Sequence, residues 1–205
     1  YTKTAFDSLQ AKYAGRLMNH SADSLFRHRI ELIPNCGHSI DYSLTTPWLK
    51  NYKRNPYPHT FLWEDYPMDG QRRQGFYNLY VMKRPKAADG LKDASGEDRD
   101  YYEMDIQDNV IRLSVKKVTY QTLERDPVYG IDLKFTKSYH PVIGGKWKIY
   151  LNDQLVDMNR PVTVFINDRK VFEGKLVPRM EDMITSCMEY FDPCRVFPAS
   201  VDVAL

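Results

Sequence analysis

Five histidines, three cysteines and a scatter of turn acids are the residues of this chain with chemistry to offer. The most suggestive lies in Arg29-Ile-Glu-Leu-Ile-Pro-Asn-Cys-Gly-His-Ser-Ile-Asp-Tyr42, which reads as a short strand entering a tight turn that presents His38. An imidazole held there can act as a general base, taking a proton from a nucleophile and returning it to a leaving group. On residue type alone, a lone loop histidine is more often a polar surface residue. Cys36 lies only two residues before His38, and Cys–His dyad partners normally come from separate elements of a fold. Asp41 could orient the ring, although an acid at that spacing equally suits a helix entry.

Other chemistries find less support. His20, His28, His38, His59 and His140 share no H-x-x-x-H or H-E-x-x-H spacing, so no metal site is expected. Asp105, Asp108, Asn152 and Asp153 border strands, where turn acids belong, and they follow no EF-hand register. Cys36, Cys187 and Cys194 form no CxxC, and their odd number argues against a disulfide framework. A Cys187–Cys194 bridge across a helix end is conceivable. No cofactor is expected.

Trp48, Trp63 and Trp147, with Tyr57, Tyr66, Tyr77 and Tyr80, could stack on sugar rings, and packing within a β core is the plainer reading. Asn51-Tyr-Lys-Arg-Asn-Pro-Tyr57 interleaves bases with aromatics. However, 29 Lys and Arg against 27 Asp and Glu leave a net charge of only +2, so nucleic acid is not an expected partner. No apolar run reaches the length of a membrane span. The compartment stays open, an extracytoplasmic one included.

The elements that must position these residues fall into two parts. Phe6, Leu9, Tyr13 and Leu17 recur near helical spacing and predict a helix over roughly 4–18, followed by a strand at about 29–33. Thr46-Pro47-Trp48-Leu49 predicts a short helix with Thr46 as N-cap and Pro47 at the first helical position, stopped by Asn55-Pro56-Tyr57-Pro58. That is α/β grammar. From Thr60 onward the pattern is β. Strands are predicted at 60–64, 75–81, 109–115, 130–135 and 146–151, with a loop over 85–99. Pro161 to Val177 predicts a β-hairpin, because Asn167-Asp168 supplies residues that tolerate positive φ. Met180, Met183, Ile184, Cys187, Met188 and Phe191 then form an apolar helical stripe, expected to pack on the sheet. Asp192-Pro193 ends that helix, and Ser200–Leu205 makes a closing strand.

These residues carry a resemblance. The strand Arg29–Ile33, the turn Asn35-Cys36-Gly37-His38-Ser39 and the helix from Thr46 to Lys50 resemble the C-terminal end of an α/β-hydrolase catalytic domain, whose last strand delivers the catalytic histidine. The run from Tyr150 to Lys175, centred on the hairpin that Pro161 opens, with Phe197-Pro-Ala-Ser-Val-Asp-Val203, looks like the β-rich C-terminal domain of some bacterial esterase- or peptidase-like members of that superfamily. The resemblance covers about half the chain. It implies an α/β-hydrolase-like segment over residues 1–54 and a β-rich accessory domain over 55–205. The expected fold is mainly β, an antiparallel β-sandwich-like domain with one C-terminal helix.

By the same resemblance, His38 is the triad histidine of a serine hydrolase acting on an ester or amide. No G-x-S-x-G elbow occurs among the ten glycines, so the nucleophile and its acid would belong to an upstream catalytic domain of the same protein, and this chain alone is expected to be inactive. The competing expectation is a stand-alone β-sandwich binding module, possibly for carbohydrate, which requires an exposed and roughly coplanar aromatic pair on one sheet face.

Overall fold

The computed structural model describes residues 42–67, 70–90 and 99–205. The predicted helix over 4–18, the strand near 29–33 and the His38 turn lie outside the described residues. Two units make up the chain, Tyr1–Lys53 and Arg54–Leu205. In the first, helix α1 spans Thr45–Leu49 and starts after Leu44, without a side-chain cap. Thr46 is therefore inside the helix rather than its cap. Pro47 is the third helical residue rather than the first, and is tolerated there because the first four N–H groups of a helix have no internal partner.

The second unit is mainly β. Its strands are β1 Thr60–Asp65, β2 Gly75–Phe76, β3 Leu79–Lys83, β4 Lys86–Ala87, β5 Arg99–Gln107 and β6 Val110–Arg125. They continue as β7 Asp132–His140, β8 Val142–Ile143, β9 Lys146–Leu151, β10 Val162–Ile166, β11 Arg169–Gly174 and β12 Ala199–Ala204. One six-stranded sheet runs β1-β5-β6-β10-β11, with β7 paired to the far half of β6; a second runs β12-β9-β3-β2; β4 and β8 form a small pair. Among the described residues all pairings are antiparallel except β10 against β6.

Alternation explains how the two larger sheets meet. Along β6, Ile111, Leu113 and Val115 are buried between exposed or half-buried Arg112 and Ser114. Tyr102, Met104 and Ile106 of β5 and Val162, Val164 and Ile166 of β10 point the same way. They join Leu79, Val81, Trp147, Ile149 and Leu151 from the other sheet in one apolar core, which makes the unit sandwich-like. At about 1.5–3 kcal/mol for each fully buried large apolar side chain, this shared core is the main source of stability.

Turn chemistry sets the details. Asn167 and Asp168 both adopt positive φ, 47° and 65°, and Asp108 and Asn109 repeat the device between β5 and β6 at 45° and 65°. The Asn167 side chain does more than turn. Its Oδ1 accepts from Val115 N at 2.8 Å and its Nδ2 donates to Val115 O at 3.0 Å, which carries the parallel β10–β6 pairing one residue further. The predicted strand 75–81 is instead the hairpin β2–β3, because Tyr77 turns at φ 50°. The predicted strand 130–135 begins at Asp132, because Asp126 Oδ1 accepts from Val128 N and Tyr129 N and closes a turn first.

The segment Met180–Tyr190 is helical, as its spacing predicts, and forms α2. Its orientation is opposite to the expected one. Asp182 and Ser186 are buried, 4% and 0% exposed, whereas Met180, Met183, Ile184, Met188 and Phe191 face solvent. The helix is fastened to the outer face of the four-stranded sheet by hydrogen bonds. Ser200 Oγ donates to Asp182 Oδ1 (2.7 Å), Phe197 N to Ser186 Oγ (3.0 Å), Tyr150 Oη to Glu189 Oε2 (2.6 Å) and Tyr190 Oη to the Leu79 carbonyl (3.3 Å). Residues 182, 186, 189 and 190 form a polar stripe at i, i+4, i+7 and i+8, and that stripe is the packing face. Burial raises the Tyr150 hydroxyl above its ordinary range and also raises the Glu189 carboxyl, so the bond joins groups that resist ionisation.

Candidate functional site

His38, the triad position implied by resemblance, lies outside the described residues, as do Cys36 and Asp41. The two histidines that are described hold structural bonds. His59 Nε2 donates to the Gln154 carbonyl at 2.9 Å. His140 sits in a chain with the order of a hydrolytic triad. Thr119 Oγ1 donates to His140 Nε2 at 2.9 Å, and Nδ1 donates to Asp89 Oδ2 at 2.9 Å, because a carboxylate only accepts. Thr119 stands mid-ladder on β6, in register with Ser138 of β7, rather than on a strand-to-helix elbow. Its role is to tie the end of β7 to the Asp89 turn.

A cleft of about 320 Å³ opens beside the start of α2, lined among others by Lys148, Phe172, Lys175, Arg179, Ser200 and Asp202. Here a serine meets a lysine and a buried carboxylate, and its hydrogen bonds join the helix to the sheet. Lys148 Nζ lies 2.9 Å from Asp202 Oδ1 and donates to Ser200 Oγ at 3.4 Å, while Ser200 gives its own proton to Asp182. Ser200 thereby ties β12 to α2 through Asp182, and neither His59 nor His140 bonds to it. A second cleft of about 600 Å³ is walled by Arg72, Arg73, Gln74, Tyr80, Glu189 and Tyr190. In its floor the Tyr190 ring lies so close to Gly75 that a Cβ there would meet it at 2.6 Å.

Charged and aromatic side chains gather where β7 pairs with β6 beside the start of β5. Glu64 accepts from Lys137 and Tyr120 and, at 3.3 Å, from Arg99. Burial pushes the Glu64 carboxyl up, and those three donors outweigh it and hold it below its usual range. Burial disfavours charge on Lys137, but Glu64 and Tyr120 dominate and raise its pKa. Arg99 lies 4.7 Å from the Tyr66 ring and 4.3 Å from that of Tyr120. Burial, with Glu103 alongside, pushes the Tyr101 hydroxyl up to about 12.

Tyr66 and Tyr139 are exposed in this cluster. Tyr139 meets Tyr101 edge-on at 75°, so these two rings present no flat platform. The near-parallel pairs belong to the interior: Trp63 on Phe76 at 19° and Tyr150 on Phe197 at 21°.

Among the described residues no group of His, Cys, Asp or Glu could hold a metal ion, and no helix is long and apolar enough to cross a membrane. Cys187 and Cys194 are both free thiols, so the conceivable bridge between them is not formed. Protein-family models, curated proteins and solved structures give no match to this chain.

Sequence reasoning singled out the histidine turn and the hairpin, and missed the polar face of α2 and the Glu64 cluster. The first had a signal in the small and hydroxylated residues at 182, 186 and 190. The second had none, because Glu64, Arg99, Tyr120 and Lys137 meet only through strand register.

Proposed function

We propose that this chain is the C-terminal portion of an α/β-hydrolase-like serine hydrolase acting on an ester or amide, with a non-catalytic β-domain appended to the segment that carries His38. The observation that carries the reading is the sequence order: a Gly37-His38-Ser39 turn after a predicted strand, then the hairpin domain opened by Pro161. It is supported by the commitment of His59, His140 and Ser200 to structural hydrogen bonds within the β-domain. In the longer polypeptide His38 would take the proton of an upstream serine as it attacks the carbonyl carbon, then protonate the leaving alkoxide or amine. The oxyanion hole would come from the same upstream domain.

The test starts from the coding sequence upstream of Tyr1, where a G-x-S-x-G followed by an acidic residue is expected. In the protein bearing it, His38→Ala should lower hydrolysis of p-nitrophenyl acetate by several orders of magnitude, and the present chain should show no His38-dependent turnover. His38-dependent turnover by this chain alone, or a start codon close before Tyr1, overturns the reading.

Carbohydrate binding is the runner-up: Tyr66 and Tyr139 are exposed beside Arg99 and Lys137, but the exposed coplanar aromatic pair it requires is not found among the described residues. A glycan array read with wild type and Tyr139→Ala distinguishes it: binding lost in the variant favours it, and silence removes it.

A further inference from the structure

We infer that the solvent-facing stripe of α2 is a self-association surface, on which two copies of the chain pair their helices antiparallel. Met180, Met183, Ile184, Cys187 and Met188 lie along one face of an eleven-residue helix, and Phe191 caps its end in the left-handed conformation; Phe191 is 90% and Met180 71% exposed. The opposite face already holds the helix to its sheet through Asp182, Ser186, Glu189 and Tyr190. The apolar face is therefore not a core face left open by loose packing. It is a second face with no duty inside the unit.

Area and charge both favour a second copy as the occupant. The six side chains together expose on the order of 600 Å², at the upper end of what a monomer ordinarily leaves bare. Two such faces would bury about 1,200 Å², where specific interfaces begin. The stripe carries no charge, so it can meet its own kind without burying an unpaired ion.

Antiparallel pairing is the arrangement that keeps like ends of the two helices apart. Arg179 stands exposed at the start of α2, beside Glu181 and the buried Asp182 of the first turn, and the last turn contains no basic residue. An antiparallel pair brings Arg179 of each copy to the C-terminal end of the other. A parallel pair sets Arg179 against Arg179. In the antiparallel register Ile184 meets Cys187 across the two-fold axis, which buries both thiols at the centre.

Sedimentation velocity over a concentration series, on the whole 205-residue chain, tests this directly. The chain is expected to dimerise. Ile184→Glu and Met188→Glu should each weaken the dimer at least about tenfold, the effect of losing one central contact. Both positions are exposed within the unit, so far-UV dichroism should not change, nor should the thermal midpoint at concentrations where wild type and variants are all monomeric.

The second readout is Cys187 in a Cys36→Ser, Cys194→Ser background. A thiol reagent should label it slowly in the dimer and at the rate of a free thiol after Ile184→Glu. A chain that remains monomeric at the highest concentration, which would leave the stripe to a different protein, overturns the inference. So does a dimer indifferent to both glutamates, or a Cys187 labelling rate that the dimer does not change. Each readout is independent of whether His38 is catalytic.

Discussion

Asp65 and Asp100 stand opposite one another in the β1–β5 ladder, both buried, and share the guanidinium of Arg84. Lys117 Nζ adds a contact to Asp100 Oδ1 at 2.6 Å, and Arg72 lies within 3.9 Å of both acids. Two carboxylates this close in a dry setting repel, and the cations make their joint burial tolerable. Burial pushes the Asp65 carboxyl above its usual range despite Arg84.

Removing Arg84 should therefore be among the most damaging changes in the β-domain. Arg84→Met is expected to lower the unfolding free energy by about 3–5 kcal/mol at neutral pH, read by urea denaturation. A raised folded-state pKa means that the contribution of Asp65 is full below its unfolded value of 3.8 and declines as pH rises through the folded value. Arg84→Met raises that folded pKa further, so its deficit should shrink on acidification. A deficit independent of pH would contradict this account.

Glu64 should behave in the opposite sense. Its folded-state pKa is depressed, so its stabilising contribution is present above the unfolded value of 4.5 and is lost as pH falls through the folded value. Thermal melts of wild type and Glu64→Gln should thus differ most near neutrality and converge in acid. Lys137→Met should remove most of that difference.

Ser186→Ala tests the inverted helix. Ser186 Oγ accepts from the buried Phe197 N–H and donates to the Asp182 carbonyl at 2.7 Å. Alanine leaves that N–H without a partner, for an expected loss of about 1–3 kcal/mol in denaturant titration. Met183→Ser on the solvent face, measured at concentrations where the chain is monomeric, should change stability by less than about 0.5 kcal/mol. The reverse ranking would mean that α2 packs through its apolar side.

Gly145→Ala should be disruptive for two separate reasons. Gly145 has φ 106°, which side chains rarely adopt, and an added Cβ would come within 2.3 Å of the buried Trp147 ring. A loss of about 1–3 kcal/mol is expected, with a change in Trp147 near-UV dichroism reporting the displaced ring. Gly130→Ala, which meets no atom within 4 Å, should show only the backbone part.

What could be read from the sequence was local. The Asn167-Asp168 hairpin, strand 146–151 and the span of α2 each follow from turn chemistry or periodicity within a dozen residues. The way α2 sits could not be read by the usual rule, because its helical wheel offers two self-consistent stripes. The choice between them depends on Tyr150, Ser200 and the Phe197 N–H, which arrive from other parts of the chain and favour the polar stripe. The Glu64 cluster was hidden for the same reason, since its four residues span 64 to 137 and are assembled by register alone. The longer extent of β6 was missed because Tyr120–Arg125 lacks apolar alternation and is held as strand by β7.

The single parallel seam, where Thr163 lies against Val110, has a temporal consequence. As the chain leaves the ribosome, β1, β5, β6 and β7 can pair as soon as each emerges. The flank of β6 at Val110–Leu113 stays bare until β10 emerges, some fifty residues later. Nascent chains arrested before Pro161 should therefore present a sticky apolar border to chaperones, and release of the closing hairpin should be the step that commits the domain to its native state.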